Sequence, residues 1–239
     1  MKAGILAGGR GERLRTTANP LKPLAKVQGR TLIEHVLHSL ADAGACEVAI
    51  LINEDSLAVR DHVSAAIWPF SIRWIVETTE SSMHSFLRLV ETLAASGDNG
   101  PFLLSTVDTV SPASAYADFV AAAREHETEA DVTLALTTPG DDEKPLLVRT
   151  APNESRVLAL GSAAAPSDRA TAGVYLVRAS ILAEAESARA DGLDALRLFL
   201  ARLLERGYRL DGIPMAETID VDRPADLETA EAFLRRTNR

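Results

Sequence analysis

Three glycines and several cations follow an apolar run near the start of the chain, where residues 5–26 read ILAGGRGERLRTTANPLKPLAK. Gly8, Gly9 and Gly11 leave little side-chain bulk, so backbone N–H groups can approach a bound group closely. Arg10, Arg13 and Arg15 stand in the same loop, and Lys22 follows in the Leu-Lys-Pro unit Leu21–Pro23. Bare amides beside several cations suit a polyphosphate. The spacing is not a Walker A loop, because no Gly-Lys-Ser/Thr follows. It is not the dinucleotide fingerprint either, because the position three beyond Gly11 is Leu14. A second chemical group, Asp108, directly follows the apolar run Phe102–Val107. Alone it would read as a turn or helix-cap residue. Paired with the glycine loop it reads as a metal ligand facing the same site, since open α/β sheets bind ligands beyond the carboxyl ends of their strands.

The elements that position these groups alternate. Lys2–Leu6 reads as a buried strand. Thr31-Leu-Ile-Glu34 is a capping-box pattern, and Leu32, Ile33, Val36, Leu37 and Leu40 share the face of the helix behind it, with Gly44 at its C-terminal cap. A strand over Glu47–Ile52, a helix over residues 55–66 and a strand over Ile72–Val76 follow. Ser82 is expected to cap a helix that stops near Gly97, and Pro112 to open another after the Phe102–Val107 strand. This rhythm over about 125 residues indicates a doubly wound parallel sheet. Beyond it, Asp131–Thr137, Leu146–Thr150 and Arg156–Leu160 are strand-like, the last two joined at an Asn153-Glu154 turn. Ala172–Val177 and Tyr208–Ile213 are further strands, with helices near 180–190, 193–206 and Pro224–Arg235. The expectation is one α/β domain over residues 1–239, with a nucleotide-binding half to about 125 and an acceptor-binding half from about 126.

Composition narrows the partners. The 239 residues are 46% hydrophobic and 25% charged, in the range of a globular protein. A net charge of −9 disfavours nucleic acid, which needs a basic face. The lone cysteine, Cys46, permits no intrachain disulfide and reads as a buried structural thiol in a reducing compartment. No run is apolar and long enough to span a membrane, and the first residues read as a strand rather than a signal peptide. A cytoplasmic protein is the expectation. Arg10, Arg15 and Lys26 read as solvated surface, as do His35, His38 and His84. Trp68, Phe70 and Trp74 read as core or a subunit contact, which leaves a homo-oligomer open.

LAGGRGERL followed by PLKPLAKVQGRTLIEHVL resembles the signature of the NTP:sugar-phosphate nucleotidyltransferases, also called sugar-nucleotide pyrophosphorylases. Three later stretches carry the likeness along the chain in order. STVDTV at 105–110 resembles a strand that ends in a metal-binding Asp. TAGVYLV at 171–177 resembles the Asn-Ala-Gly-Ile-Tyr strand of the acceptor pocket, and IDVDRPADLETA at 219–230 the segment with the second metal-binding Asp. The resemblance implies a Rossmann-like, mixed, mainly parallel sheet with helices on both faces, of nucleotide-diphospho-sugar transferase type. It implies transfer of NMP from an NTP to a phosphorylated small molecule with release of pyrophosphate. Leu6, Ala7, Gly8, Gly9 and Gly11 would cradle the triphosphate. Arg13 matches the arginine on the β- and γ-phosphates, and Lys22 the lysine that neutralises charge at the α-phosphate. Asp108 would hold Mg²⁺ with Asp220, the position of the family's Asp; Asp222 competes, because alternation puts both on one face. Gly173 would line the acceptor pocket. No general base is required, because an acceptor phosphate is already ionised.

The chain departs from the family pattern at three places. The base segment, Glu77 to Ser85, lacks the usual Gln and Gly-x-x-x-Ala, leaving Thr78 and Ser82 as candidate base contacts. This Thr/Ser-rich version is similar to the cytidylyltransferases of choline-phosphate type. Thr171 stands where a sugar-binding Asn is usual, and Glu143-Lys144-Pro145 lies earlier than the family's Glu-Lys-Pro. A choline-phosphate-type cytidylyltransferase and a molybdenum-cofactor guanylyltransferase are therefore alternatives, the latter's lysine usually following its loop more closely. From another class, a non-catalytic nucleotide sensor usually loses the lysine or the Asp that this chain keeps. A glycosyltransferase would show Asp-x-Asp where Asp108-Thr-Val stands. The base, the acceptor and the oligomeric state are not fixed by the residues.

Overall fold

The computed structural model describes residues 1–9, 11, 13–14, 21–126, 129–139 and 145–237. Seven strands build the central sheet: β1 (Lys2–Ala7), β2 (Glu47–Ile52), β3 (Ser71–Val76), β4 (Phe102–Thr106), β5 (Val132–Thr137), β6 (Ala170–Val177) and β7 (Leu210–Pro214). Their order is β7-β5-β6-β4-β1-β2-β3. Only β6 runs against its neighbours, β4 and β5. The central strands are apolar on both faces, as strands covered by helices on both sides must be.

Helices α1 (Leu32–Asp42), α2 (Leu57–Ser64) and α4 (Ala115–Glu125) close one face through Ile33, Leu37, Val63 and Phe119. Helices α3 (Ser82–Ala94), α5 (Ala185–Ala190) and α6 (Leu196–Glu205) close the other through Phe86, Leu89, Ala188 and Phe199. A third, smaller core joins α7 (Pro224–Thr237) to the first loop, with Leu14, Val27, Val110, Val221 and Phe233 packed together. This last cluster anchors the chemical residues.

The capping box forms as the sequence spacing requires: the Thr31 hydroxyl accepts from Glu34 N–H, and the Glu34 carboxylate accepts from Thr31 N–H at 2.8 Å. Three local expectations are corrected. The cap of α3 is Ser81, whose extended backbone lets its hydroxyl accept from His84 N–H. Helix α4 begins at Ala115, because Pro112 starts a turn that ends with Ala115 N–H on its carbonyl. Cys46 is exposed rather than buried: it lies at the entry to β2, with its thiol directed at the Met1 carbonyl. Phe70 is buried and stacks on Trp68 at 5.9 Å, so this pair belongs to the core. The hairpin forms between Val148–Thr150 and Val157–Leu160, with Asn153 in the left-handed region at φ 61°.

Candidate active site

Strand register brings the glycine loop and Asp108 together. Leu6 pairs with Thr106, and Val107 N–H donates to the Leu6 carbonyl, so Gly8 and Asp108 leave adjacent parallel strands side by side. The segment after β7 completes the group. Ile219–Asp220 pairs antiparallel with Thr109–Val110, and Val221 N–H donates to the Asp108 carbonyl. Val221 is fully buried in the third core. Its neighbours on the alternating backbone, Asp220 and Asp222, therefore turn toward Asp108. One ligand oxygen from each of Asp108, Asp220 and Asp222 lies within 4.8 Å of the others. Hard carboxylate oxygens at this separation are the donor set that Mg²⁺ or another hard divalent cation takes, and modest adjustment brings them to coordination distance.

Lys22 enters the same group from a 3₁₀ turn, Lys22–Leu24, whose first positions are fixed by Pro23. Its ammonium donates to Asp108 Oδ2 at 2.6 Å and to Asp222 Oδ1 at 2.5 Å, across 86 and 200 positions of sequence. Burial alone would push the lysine toward its neutral form, but the two carboxylates outweigh it and raise its pKa. Burial would likewise push the Asp108 carboxyl up; the Lys22 charge and hydrogen bond, with one from Thr106, hold it below the usual range. Both groups are thus charged at neutral pH. Lys22 bonds two of the three carboxylates, and the three together are a hard-oxygen donor set of the kind a divalent cation takes.

Gly11 lies in the left-handed region at φ 57°, and a Cβ there would collide with the Lys22 Cβ. The loop glycine is what lets the lysine stem pass beneath. A cavity of about 340 Å³ opens here, lined by Leu6, Gly9, Gly11, Arg13, Lys22, Val107, Asp108 and Asp222. Arg13 is exposed at its rim, 3.8 Å from Asp222. Of the expected phosphate-loop residues, Leu6, Gly9 and Gly11 face the cavity, while Ala7 is buried and Gly8 is packed so that a Cβ would meet Leu51 at 2.6 Å.

Gly173 sits where β6 breaks register between Thr171 and Tyr175. Its φ is 73°, and a Cβ would lie 2.6 Å from both the Thr106 and Thr109 hydroxyls. Those hydroxyls bond each other at 2.9 Å, and Thr109 also donates to the Ala172 carbonyl, so the Asp108 turn is tied to the bulge. Below it Ser105 and the fully buried Tyr116 share a 2.6 Å hydrogen bond, and burial raises the Tyr116 pKa. Burial also pushes Tyr175 up to about 12.

The two expected base contacts are engaged elsewhere. Thr78 accepts from Glu54 N–H and donates to the Glu54 carboxylate at 3.1 Å. Ser82 accepts from Leu196 N–H at 3.0 Å, at the start of α6, and neither residue lines the cavity. Arg10, Arg15 and Lys144 lie outside the described residues. Asn53, which the sequence alone does not single out, follows β2 as Gly8 follows β1, because Ala7 pairs with Ile52.

Residues 3–203 match the family model of the MobA-like NTP transferase domain. The chain belongs to that family. It is a nucleotidyltransferase. It is 27% identical to the 3-deoxy-manno-octulosonate cytidylyltransferase of Methylorubrum populi, over 95% of this chain and 96% of that one. It is 29% identical to the mannose-1-phosphate guanyltransferase of Emericella nidulans, over 78% of this chain and 52% of the relative. The inositol-1-phosphate CTP transferase of T. maritima shares the fold at a TM-score of 0.77 and 19% identity, covering 100% of this chain and 96% of that one. The expected mixed, mainly parallel sheet with helices on both faces is the fold found. Among the described residues no helix is long and apolar enough to cross a membrane.

Proposed function

We propose that this MobA-like NTP transferase domain moves NMP from an NTP to a phosphorylated small-molecule acceptor, a sugar 1-phosphate or related phospho-alcohol, and releases pyrophosphate. The observation that carries the reading is the Lys22 ammonium bonded to Asp108 and Asp222 beneath the glycine loop. Phosphoryl transfer of this kind asks for positioned cations and bare amides more than for a nucleophile, because charge must be spread over the reacting phosphorus. Gly9 and Gly11 present backbone at the cavity wall and Arg13 stands at its rim, which suits the β- and γ-phosphates. Lys22, held fully charged by its two carboxylates, neutralises the α-phosphate as the acceptor oxygen attacks and pyrophosphate leaves. Asp108, Asp220 and Asp222 would hold Mg²⁺, which would supply Lewis-acid neutralisation of the triphosphate. Gly173 and the bulge around it border the acceptor side, two strands from β1. We read residues 1–239 as one domain, with the nucleotide half to about 125 and the acceptor half beyond.

CTP is the first nucleotide to try. The relative that aligns end to end is a cytidylyltransferase, and the T. maritima neighbour is a CTP transferase. The test is pyrophosphate release with each of four NTPs, with and without Mg²⁺. Acceptors are glucose 1-phosphate, mannose 1-phosphate, inositol 1-phosphate, choline phosphate and 3-deoxy-manno-octulosonate. One NTP and one phosphorylated acceptor should stand out and require the metal. Silence across the panel refutes the reading, and turnover of 3-deoxy-manno-octulosonate alone refutes the phosphorylated acceptor.

A further inference from the structure

Asn53 is the first residue beyond β2, is 5% exposed, and does not line the cavity. Its side-chain amide donates from Nδ2 to the Gly8 carbonyl at 3.1 Å, across 45 positions of sequence. The amide cannot turn over, because Ser56, only 2% exposed, donates its hydroxyl to Asn53 Oδ1 at 2.6 Å. Ser56 is itself fixed by its N–H on the Asn53 carbonyl at 3.0 Å. A buried, closed pair of side chains thus grips one carbonyl of the glycine loop.

The consequence follows from peptide geometry. In a planar trans peptide the C=O of one residue and the N–H of the next point to opposite sides. Holding the Gly8 carbonyl toward Asn53 directs the Gly9 N–H away from it. Gly9 lines the cavity and has open space where a Cβ would stand. A Gly-Gly peptide left free would rotate easily, since both flanking residues accept almost any backbone conformation. Rotated, it would show a carbonyl oxygen to the cavity and repel a phosphate.

We propose that Asn53, held by Ser56, is a positioning residue that locks the Gly8–Gly9 peptide with its N–H aimed at the triphosphate. This rests on the triphosphate reading of the loop. The lock acts on phosphate and not on base or ribose, and it works by pre-organising a donor that exists before the ligand arrives.

The experiment compares Asn53→Ala, Asn53→Asp, Ser56→Ala and Ser56→Thr with the wild type. It measures affinity for inorganic tripolyphosphate, kcat and KM for the NTP, KM for the acceptor, and Tm. Asn53→Ala should weaken tripolyphosphate and NTP binding by about 10- to 100-fold, the range of one lost charge-assisted hydrogen bond. Asn53→Asp should be the poorer of the two, because a carboxylate oxygen facing the Gly8 carbonyl drives the peptide over. Ser56→Ala should lose less, and Ser56→Thr, which keeps the hydroxyl, should stay near wild type. KM for the acceptor should stay within about threefold, since that site is separate. NTP binding lost while tripolyphosphate binding is kept would overturn the lock, because Asn53 would then serve the base or ribose. Wild-type tripolyphosphate affinity in both Asn53→Asp and Ser56→Ala would overturn it as well. Wild-type protein that binds NTP and turns over no acceptor would refute the proposed reaction instead, and the tripolyphosphate comparison, which needs no turnover, would still decide the lock.

Discussion

Replacing Lys22 by Met keeps the stem and deletes the charge. Asp108 and Asp222, whose ligand oxygens lie within 4.8 Å of each other, then lose the ammonium that bonded both. Two unit charges that far apart repel by about 3.5 kcal/mol at an effective dielectric constant of about 20. Asp222 is 40% exposed, so solvent and salt screen much of this and about 1–2 kcal/mol remains. For a chain of this size that is a Tm lower by roughly 2–8 °C. The loss should be seen in EDTA at neutral pH and should shrink when Mg²⁺ is added, because the cation supplies the missing charge. It should also shrink in acid. Burial would raise the Asp108 pKa, but Lys22 holds it below the ordinary value, so the pair stabilises the fold above that value and fades as pH falls through it. Pyrophosphate release should drop by roughly 10³-fold or more, as for other phosphoryl-transfer cations. Differential scanning fluorimetry with EDTA or Mg²⁺, beside a pyrophosphate assay, makes both measurements on one preparation. A variant with wild-type Tm in EDTA, or with activity within threefold of wild type, would refute the electrostatic role given to Lys22.

Asp108→Asn, Asp220→Asn and Asp222→Asn should each raise the Mg²⁺ concentration needed for half-maximal pyrophosphate release and lower its maximum, by on the order of 100-fold for Asp108; an unchanged Mg²⁺ requirement in all three would remove the metal from this cluster. Gly173→Ala should cost about 1–3 kcal/mol in urea unfolding, because its φ of 73° is strained for alanine and the new Cβ presses on the Thr106 and Thr109 hydroxyls. His35 is held neutral, chiefly by burial, with its ring on the Val27 carbonyl at 2.9 Å. Its folded pKa lies below the unfolded one, so stability should be full above about pH 6.5 and fall as pH drops through that value. His35→Gln should flatten that slope in urea titrations, and an unchanged slope would show that another group sets it.

What the sequence made legible was local. The Thr31–Glu34 capping box needs only a spacing of three, and it formed as written. The sequence placed every strand of the sheet to within a few residues; the inner strands, buried on both faces, have no alternative to being apolar, while the half-exposed edge strand Ser71–Val76 shows through its β-branched and aromatic residues. Adjacent Ser81 and Ser82 differ in no property the sequence displays. Only the extended backbone at Ser81 decides the cap of α3, and only the arrival of α6 takes up the Ser82 hydroxyl. Lys22 and Asp222 stand 200 positions apart, and no periodicity can announce their bond. Recognition of motifs brought them to one site, but it did not foresee that the lysine and the acidic residues would neutralise each other directly.

The Asn53 contact belongs to neither class. Once β1 and β2 are read as parallel neighbours with Ala7 opposite Ile52, the next positions outward are Gly8 and Asn53, and a long polar side chain opposite a bare glycine carbonyl has one near partner. The same step joins Gly8 and Asp108 across β1 and β4. In a parallel sheet the first residues past each strand are therefore neighbours even though they are far apart in sequence, and their register is fixed by apolar residues that carry no chemistry. The proposed site lies at that outer row, with Gly8 past β1 and Asp108 past β4, and Asn53 past β2 stands behind the loop. Chemistry placed there depends on the core beneath it, so a shift of register in β1 would separate the loop from Asn53 and from Asp108 at once.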